Sequence, residues 1–505
     1  MPKLTVPPNF TGTAGDDTLV GEDLNKFPAI GIDILTGGFI DTGLGKDTIK
    51  GNGTGGKGAD GAIGKNVNGS EGGAGIGISN NGNLNTGSGN DAIIGKGIGG
   101  RGGNGADDFA AGGSGTFGNN GGSGTGISNI GILNTGLGND TIIGNGTSGN
   151  GGSGNGQFSG GGKGGYGTGI SNSGKLNTGL GNDIITGTGQ GGTGAYGRYS
   201  GGGGYGTGIS NTGQLDTGDG NDAIAGIGMG GIADTRGLAS GDGGVGTGIR
   251  NNGSLNTGSG NDTITGTGQG GGGGGFGTGI SNSGQLDTGD GKDTITGIGM
   301  GGKGANGYSS GEAGVGTGIS NNGSLKTGDG NDTITGIGIG AIGGIGVFGG
   351  TAYGIFNDGV IDTGNGCDIL TGQATATIGG TAYGIYGKGT IKTGNGNDKI
   401  TATSTINEVK QKVTIGGGIN IDLDAGNDYF KGFGTGTVDG GKGFDTLDLS
   451  AFNRSELTFS GVISGNALNP ANISFNNNKN VITLSTTGFE NFIFADGSLY
   501  YSTLV

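Results

Sequence analysis

The chain has 505 residues, of which 146 are Gly and only 5 are Pro, and its formal net charge is −15. So few prolines, and glycines not spaced by three, exclude a collagen helix, and the acidic balance excludes a nucleic-acid partner, whose phosphates need a basic face. The chain has no His and a single Cys, Cys367. That leaves no transition-metal site and no disulfide framework, so a bound cation would be a hard one held by oxygens.

The N-terminal stretch, Met1-Pro-Lys-Leu-Thr-Val-Pro-Pro, carries no apolar signal region, and no run reaches the roughly 18 apolar residues that a spanning helix needs. The expectation is a soluble chain with no membrane span, secreted, if at all, without a cleaved N-terminal signal. Residues 1–39 read as an N-terminal cap containing the first calcium-type turn, Gly15-Asp16-Asp17. Residues 11–21 and 40–51 hold only the last part of a repeat that soon becomes complete.

That repeat reads Gly-Thr-Gly-Ile-Ser-Asn-x-Gly-x-Leu-Asn-Thr-Gly-x-Gly-Asn-Asp-x-Ile-x-Gly. Good copies occupy 75–95, 124–144, 167–187, 206–226, 246–266, 277–297 and 316–336. Degenerate copies follow at 352–372 and 382–402, and a weaker one lies around 414–432. In each copy Ile, Leu and Ile mark three short strands, with Thr and Ser flanking them at period two. Asn-Gly steps such as Asn252-Gly253 supply a tight corner. A glycine content this high would cost about 1 kcal/mol per Gly in a helix. The fold class expected is all-β.

One Asp recurs in the same frame: Asp17, Asp47, Asp91, Asp140, Asp183, Asp222, Asp262, Asp293, Asp332, Asp368, Asp398, Asp428 and Asp445. Successive gaps run from 30 to 49 residues, until a last gap of 17. The extra length always falls after the Ile-x-Gly strand and before the next Gly-Thr-Gly-Ile, as in 96–123 and 373–381. A fixed core with variable length at one point is the mark of a solenoid. The expected architecture is a parallel β-solenoid, a β-roll or β-helix of about 30–45-residue coils, filling 40–446. About a dozen coils at roughly 4.8 Å each make a rod about 60 Å long. Glycine-rich inserts such as 161–167 and 270–275 are either solvated loops or packed polyglycine strands. The residues that end them (Tyr166, Tyr205, Val245, Phe276, Val315) could anchor them to the core. Cys367 stands where sibling repeats carry Asn and reads as a neutral turn replacement. The Asn of each Ile-Ser-Asn (Asn80, Asn129, Asn172, Asn211, Asn251, Asn282, Asn321) is expected to stack into an amide ladder.

In register, each motif Asp lies about 5 Å from the next. At an effective dielectric near 20, one such pair repels by about 3 kcal/mol. A divalent cation between neighbours would convert repulsion into ligation, with turn carbonyls completing the six to eight oxygens of Ca²⁺. The segment Thr-Gly-Ser-Gly-Asn-Asp-Thr-Ile-Thr-Gly (257–266) resembles the RTX, or haemolysin-type, calcium-binding nonapeptide, Gly-Gly-x-Gly-x-Asp-x-apolar-x. Gly440-Gly441-Lys442-Gly443-Phe444-Asp445-Thr446-Leu447-Asp448 fits every position, and 12–19 fits well. The middle copies put Thr in place of the first Gly and run longer than the family's 18-residue tandem turn. The resemblance implies Ca²⁺ between coils, held by the aspartates and by turn carbonyls such as those of Gly441 and Gly443.

From 447 to 505 glycine thins out and strands lengthen, as in Asn480-Val-Ile-Thr-Leu. This tail resembles the C-terminal segments of RTX proteins, cyanobacterial ones especially. That resemblance implies a C-terminal β cap that carries an uncleaved type I secretion signal.

The function expected is a non-enzymatic, extracellular or cell-surface structural protein, in a surface layer, sheath or matrix fibre. Its expected partners are calcium ions, further copies of itself in a homo-oligomer or filament, and cell-surface polysaccharide. A polysaccharide-acting β-helix enzyme is the first alternative. It would need an acid/base pair and usually cationic groups, yet Arg occurs only at 101, 198, 236, 250 and 454, and no such constellation stands out. An ice-binding or adhesive RTX protein is the second. The turn position where some RTX antifreezes carry a regular Thr here holds Ser88, Leu137, Leu180, Asp219, Ser259, Asp290, Asp329, Asn365 and Asn395.

Overall fold

The computed structural model describes residues 2–62, 67–106, 116–155, 159–238, 240–305, 311–344, 347–464, 467–477 and 480–500. Its repeating unit is one coil of three strands. In the coil that begins at Gly246 these are Gly246–Asn251, Ser254–Asn256 and Thr263–Gln269. Each strand pairs in parallel with its counterparts one coil before and one coil after. Ile249 stands between Ile209 and Ile280, Leu255 between Leu215 and Leu286, and Ile264 between Ile224 and Ile295. All three are fully buried. The protein is therefore an all-β parallel solenoid whose core is a triple file of Ile, Leu and Ile.

The coil is flat because glycine lets the first and third strands touch backbone to backbone. A Cβ on Gly248 would lie 2.3 Å from the Thr267 nitrogen, and one on Gly266 would lie 2.3 Å from the Gly279 oxygen. In the later coils Ala replaces some of these glycines, and Ala352, Ala374, Ala376 and Ala382 form a small buried cluster of their own.

The stack starts before the consensus becomes readable. Leu4–Val6, Phe10–Thr11 and Thr18–Lys26 already pair with Ala29–Ile34, Phe39–Asp41 and Thr48–Gly55. Val6, Ile32, Ile34 and Ile40 fill the inward positions. At the other end parallel pairing gives way to antiparallel pairing. Asn480–Thr487 pairs in parallel with Gly434–Asp439, but antiparallel with Ala467–Asn477, which pairs antiparallel with Leu457–Ser464. The core there becomes aromatic, with Phe433 and Phe452 edge to face at 4.8 Å.

The described parts of the glycine-rich inserts are packed. Gly118, Gly121 and Gly124 donate their N–H groups to the carbonyls of Gly160, Lys163 and Tyr166 in the next coil. Gly161, Gly164 and Gly167 do the same to Tyr199, Gly202 and Tyr205. The step of three residues is that of a polyproline-II-type strand, which makes no internal hydrogen bonds and must spend its N–H groups on neighbours. A second set of bonds zigzags between the outgoing and returning strands of successive inserts: Gly122 to Gly100, Gly149 to Gly122, Gly165 to Gly149, Gly192 to Gly165. The inserts thus form a two-layer polyglycine slab beside the solenoid. Tyr166, Tyr205 and Phe276, expected as anchors, face solvent instead, at 59%, 50% and 53% exposure. The slab holds without them, because backbone bonds and close glycine contacts supply the cohesion.

The Asn ladder is present and buried. Each Nδ2 donates at 2.8–2.9 Å to the Oδ1 of the Asn in the next coil, from Asn80 through Asn129, Asn172, Asn211, Asn251, Asn282 and Asn321 to Asn357. The second hydrogen of Asn211 reaches the Ser254 carbonyl.

Two expectations follow. Asn211→Ala strands the Asn172 amide and removes the donor from Asn251 and Ser254. It should cost about 3 kcal/mol in denaturant unfolding, since each buried orphan costs about 1–3 kcal/mol. Within the single run 270–275, Gly271→Ala and Gly272→Ala should differ sharply. A Cβ on Gly271 would sit 1.9 Å from the Gly231 oxygen, whereas one on Gly272 meets only a flexible Ile232 methyl at 3.4 Å. The first should lower the thermal midpoint by several degrees and the second by almost nothing; equal effects would mean that the slab is not packed.

Candidate metal centre

The corner between the second and third strands carries the motif aspartates. In Thr257-Gly258-Ser259-Gly260-Asn261-Asp262, Gly258 and Gly260 adopt φ of +81° and +151°. These are conformations open to glycine and strained for residues with a side chain. They turn the chain so that Asn261 and Asp262 reach toward opposite neighbours along the rod. Asn261 offers its Oδ1 to the Lys292 N–H of the following coil. Asp262 offers its Oδ1 to the Asp222 N–H of the preceding coil at 2.8 Å. The same backward bond runs unbroken from Asp17 to Asp445, each link 2.7–2.8 Å.

From Asp47 to Asp445 these carboxylates are 0–2% exposed. Oδ1 is satisfied by the ladder. Oδ2, in every one of the twelve, is buried without a hydrogen-bond partner among the described residues. Thr hydroxyls line the same corner between two acceptors: Thr217 donates to the Thr257 carbonyl and Thr257 to the Thr288 carbonyl, and each Thr hydroxyl also lies beside the carboxylate of its own corner, as Thr217 beside Asp222. Burial pushes the Asp222 carboxyl up to about 7, against the pull of the Thr217 hydroxyl and the Asp183 N–H, and the flanking Asp183 and Asp262 charges push it the same way. Burial likewise lifts Asp293, Asp398, Asp428 and Asp445 to about 7 and Asp332 to about 6. It raises Asp91, Asp140, Asp183, Asp262 and Asp368 as well. A bare column is therefore not forbidden, as simple repulsion suggested. It can form by taking up protons.

The two ends differ from the middle. Asp17 is only partly buried, and its Oδ2 accepts the Thr13 N–H at 2.6 Å. The orphaned oxygen that marks its siblings is missing there. At the far end the Asp445 N–H is taken by the Glu490 carboxylate, which closes the ladder where another Asp would stand. Glu490 lies outside any repeat, so the periodicity could not point to it. Gly441 and Gly443 take φ of +88° and +146°, angles open to glycine and strained for other residues. Cys367 is free and exposed, and its N–H bonds Asn331 just as its Asn siblings do.

No three His, Cys, Asp or Glu side chains converge among the described residues. A cation here would rest on carboxylate oxygens from successive coils, completed by backbone carbonyls. Twelve buried anionic oxygens lacking donors fit that demand, since a hard oxygen-seeking ion supplies what the ladder leaves unmet. No protein-family model matches the chain, and no curated protein matches it. Among solved structures, a hyperactive, Ca²⁺-dependent, beta-helical antifreeze protein from an Antarctic bacterium is similar over 97% of this chain and 94% of that one. The two are 16% identical, with a TM-score of 0.34.

The raised carboxyl values give a pH dependence with a definite sign. A folded-state value near 7 against an unfolded value near 3.9 means the folded chain holds these protons more tightly. In chelator, that stabilisation should be complete below about pH 4 and drain away as pH rises through 7. The thermal midpoint should therefore fall steadily from pH 4 to pH 8. A midpoint that rises over that interval in chelator would show that the carboxyls are not held as described.

Proposed function

We propose that the chain is a calcium-stabilised, secreted rod with a structural role at the cell surface, in a surface layer, sheath or extracellular matrix. The observation that carries this reading is the file of twelve buried Oδ2 atoms without donors. At neutral pH such a file must either keep its protons or gain cations. Ca²⁺ between coils would be held by the aspartates from Asp47 to Asp445 and by corner carbonyls, including those of Gly441 and Gly443. Asp17 is the weakest member of the set, because its Oδ2 already has a donor. Ion binding would then be folding free energy. A chain that stays loose where calcium is scarce and folds where it is abundant suits export unfolded and assembly outside. The type I secretion signal in the tail belongs to the same reading. Among the described residues no helix is long and apolar enough to cross a membrane.

The discriminating measurement is thermal unfolding with and without Ca²⁺ at pH 8, on the wild type and on Asp262→Asn/Asp293→Asn. The amides preserve the Oδ1 acceptors but remove two charges. In chelator the variant should be more stable than the wild type. In millimolar Ca²⁺ it should be the less stable of the two, each lost site forfeiting about 1–3 kcal/mol. A wild-type midpoint indifferent to both Ca²⁺ and chelator would sink the metal reading.

A further inference from the structure

The third strands of the coils form one parallel sheet whose outer side is uncovered among the described residues. Alternate residues of each strand point outward, as Thr263, Thr265, Thr267 and Gln269 do in Thr263–Gln269. In the six strands from Ile184–Gln190 to Ile369–Ala376 none of these outward residues is charged, although the chain has 40 acidic and 25 basic residues. Three residues further on, the outgoing slab strands add an outward row of Thr193, Ile232, Gly272, Lys303 and Ile342. Lys303 is the one charge of the patch among the described residues.

The apolar residues of this patch form a palindrome along the rod. Ile184 stands in the first of the six strands and Ile369, at the equivalent place, in the last. Ile227, Met229 and Ile232 mark the second coil, and Ile337, Ile339 and Ile342 mark the fifth at the same places. Ile184, Ile227, Ile232, Ile339, Ile342 and Ile369 are 39–61% exposed. A two-fold axis lying across the rod between the third and fourth strands carries each of these groups onto its match in a second copy. It sets Lys303 opposite Gly272, where a missing side chain leaves room. Ile298 and Met300 then meet Thr267 and Gln269.

We infer that this face pairs two copies of the chain with their rods antiparallel. The inference rests on the structural reading above and names the rod's partner. Six coils at about 4.8 Å and ten residues at about 3.2 Å make a patch of about 900 Å² per copy, and about 800 Å² per partner suffices for a stable pair. A two-fold contact joins a patch to itself. On a chain of net charge −15, a face without acid lets a second copy approach. Ile and Met supply the apolar centre, and Thr and Gln supply a rim that water can reach. A partner of another kind gains nothing from the palindrome.

Sedimentation velocity of the full chain in millimolar Ca²⁺, over a wide range of concentration, should show one chain mass passing to two. Added salt should tighten the pair, because it screens the net charge. Ile232→Glu/Ile342→Glu should raise the dissociation constant about a hundredfold, by burying unpaired carboxylates, with an unchanged circular dichroism spectrum. Ile130→Glu, at a position equally exposed but in the corner between the first and second strands, should leave pairing intact. Cross-linking checks the register. In a Cys367→Ser background, a short bismaleimide should join Ile232→Cys copies to Ile342→Cys copies, and should not join Ile232→Cys copies to each other. The inference is overturned if the chain stays monomeric, if the double Glu variant pairs like the wild type, or if Ile232→Cys copies join each other as readily as the mixture. A monomer that pellets with an insoluble polysaccharide, and loses that property with the two glutamates, gives the face to that occupant and overturns the pairing too. Spectra of the same samples in Ca²⁺ and in chelator separate the two ideas. A calcium-dependent fold that stays monomeric removes the pairing and leaves the rod, whereas a pair indifferent to chelator keeps the pairing and removes the metal.

Discussion

Parallel stacking in register places every side chain next to its own counterpart, and the structure depends on which residues tolerate that company. Isoleucine over isoleucine buries apolar surface at each step. Asparagine over asparagine is self-complementary, because one amide carries both donor and acceptor, and Nδ2 meets Oδ1 from Asn80 to Asn357. Aspartate over aspartate is not self-complementary. It accepts at both oxygens and donates at neither. The backbone N–H of the neighbouring Asp satisfies Oδ1, and from Asp47 to Asp445 no hydrogen bond reaches Oδ2 among the described residues. The column is thus a repeated element left incomplete among the described residues, and the reading of the protein as an ion-dependent rod begins there.

Glycine serves two different purposes. In the corners it supplies backbone angles that other residues resist, as at Gly258 and Gly260. In the strands and the slab it supplies absence. Two backbones approach where a Cβ would sit about 2 Å from a carbonyl oxygen, as at Gly149 beside Gly100. The second use explains how a chain with only 29% hydrophobic residues holds together. Backbone hydrogen bonds and close van der Waals contact between flat layers take over part of the role that a thick apolar core has elsewhere.

Much of this was legible from periodicity. The three strands, the inward Ile and Leu, the Asn ladder and the single column of Asp follow from residues repeated in one frame. What escaped was set by contacts that the repeat does not encode. Two readings of the inserts stayed open, because three-residue hydrogen-bond spacing between different inserts cannot be seen in any one of them. The aromatic residues at the insert ends looked like anchors, since large apolar residues usually bury; the backbone lattice left them outside. The coils at Leu4–Val6 and Ala29–Ile34 hide behind divergent sequence, and only their buried Val6, Ile32 and Ile34 betray them. Glu490 completes the ladder from a non-repeating segment. Proton uptake by the column depends on burial, which spacing alone does not supply.

In the slab, one residue in three donates to the next coil, one faces the opposite layer and one points to solvent. Phe117, Asn120 and Ser123 occupy the outward place in one insert, and Tyr199, Gly202 and Tyr205 in a later one. The outward residue contributes its carbonyl to the lattice, and its side chain stands outside the packed layers, where Asn120 accepts the Lys163 N–H and the Phe117 ring lies on Gly160. The slab therefore separates scaffold from script: two positions in three are dictated by packing, and the third can be rewritten, coil by coil, without disturbing the lattice beneath. A lineage could change what this face touches by point substitution alone.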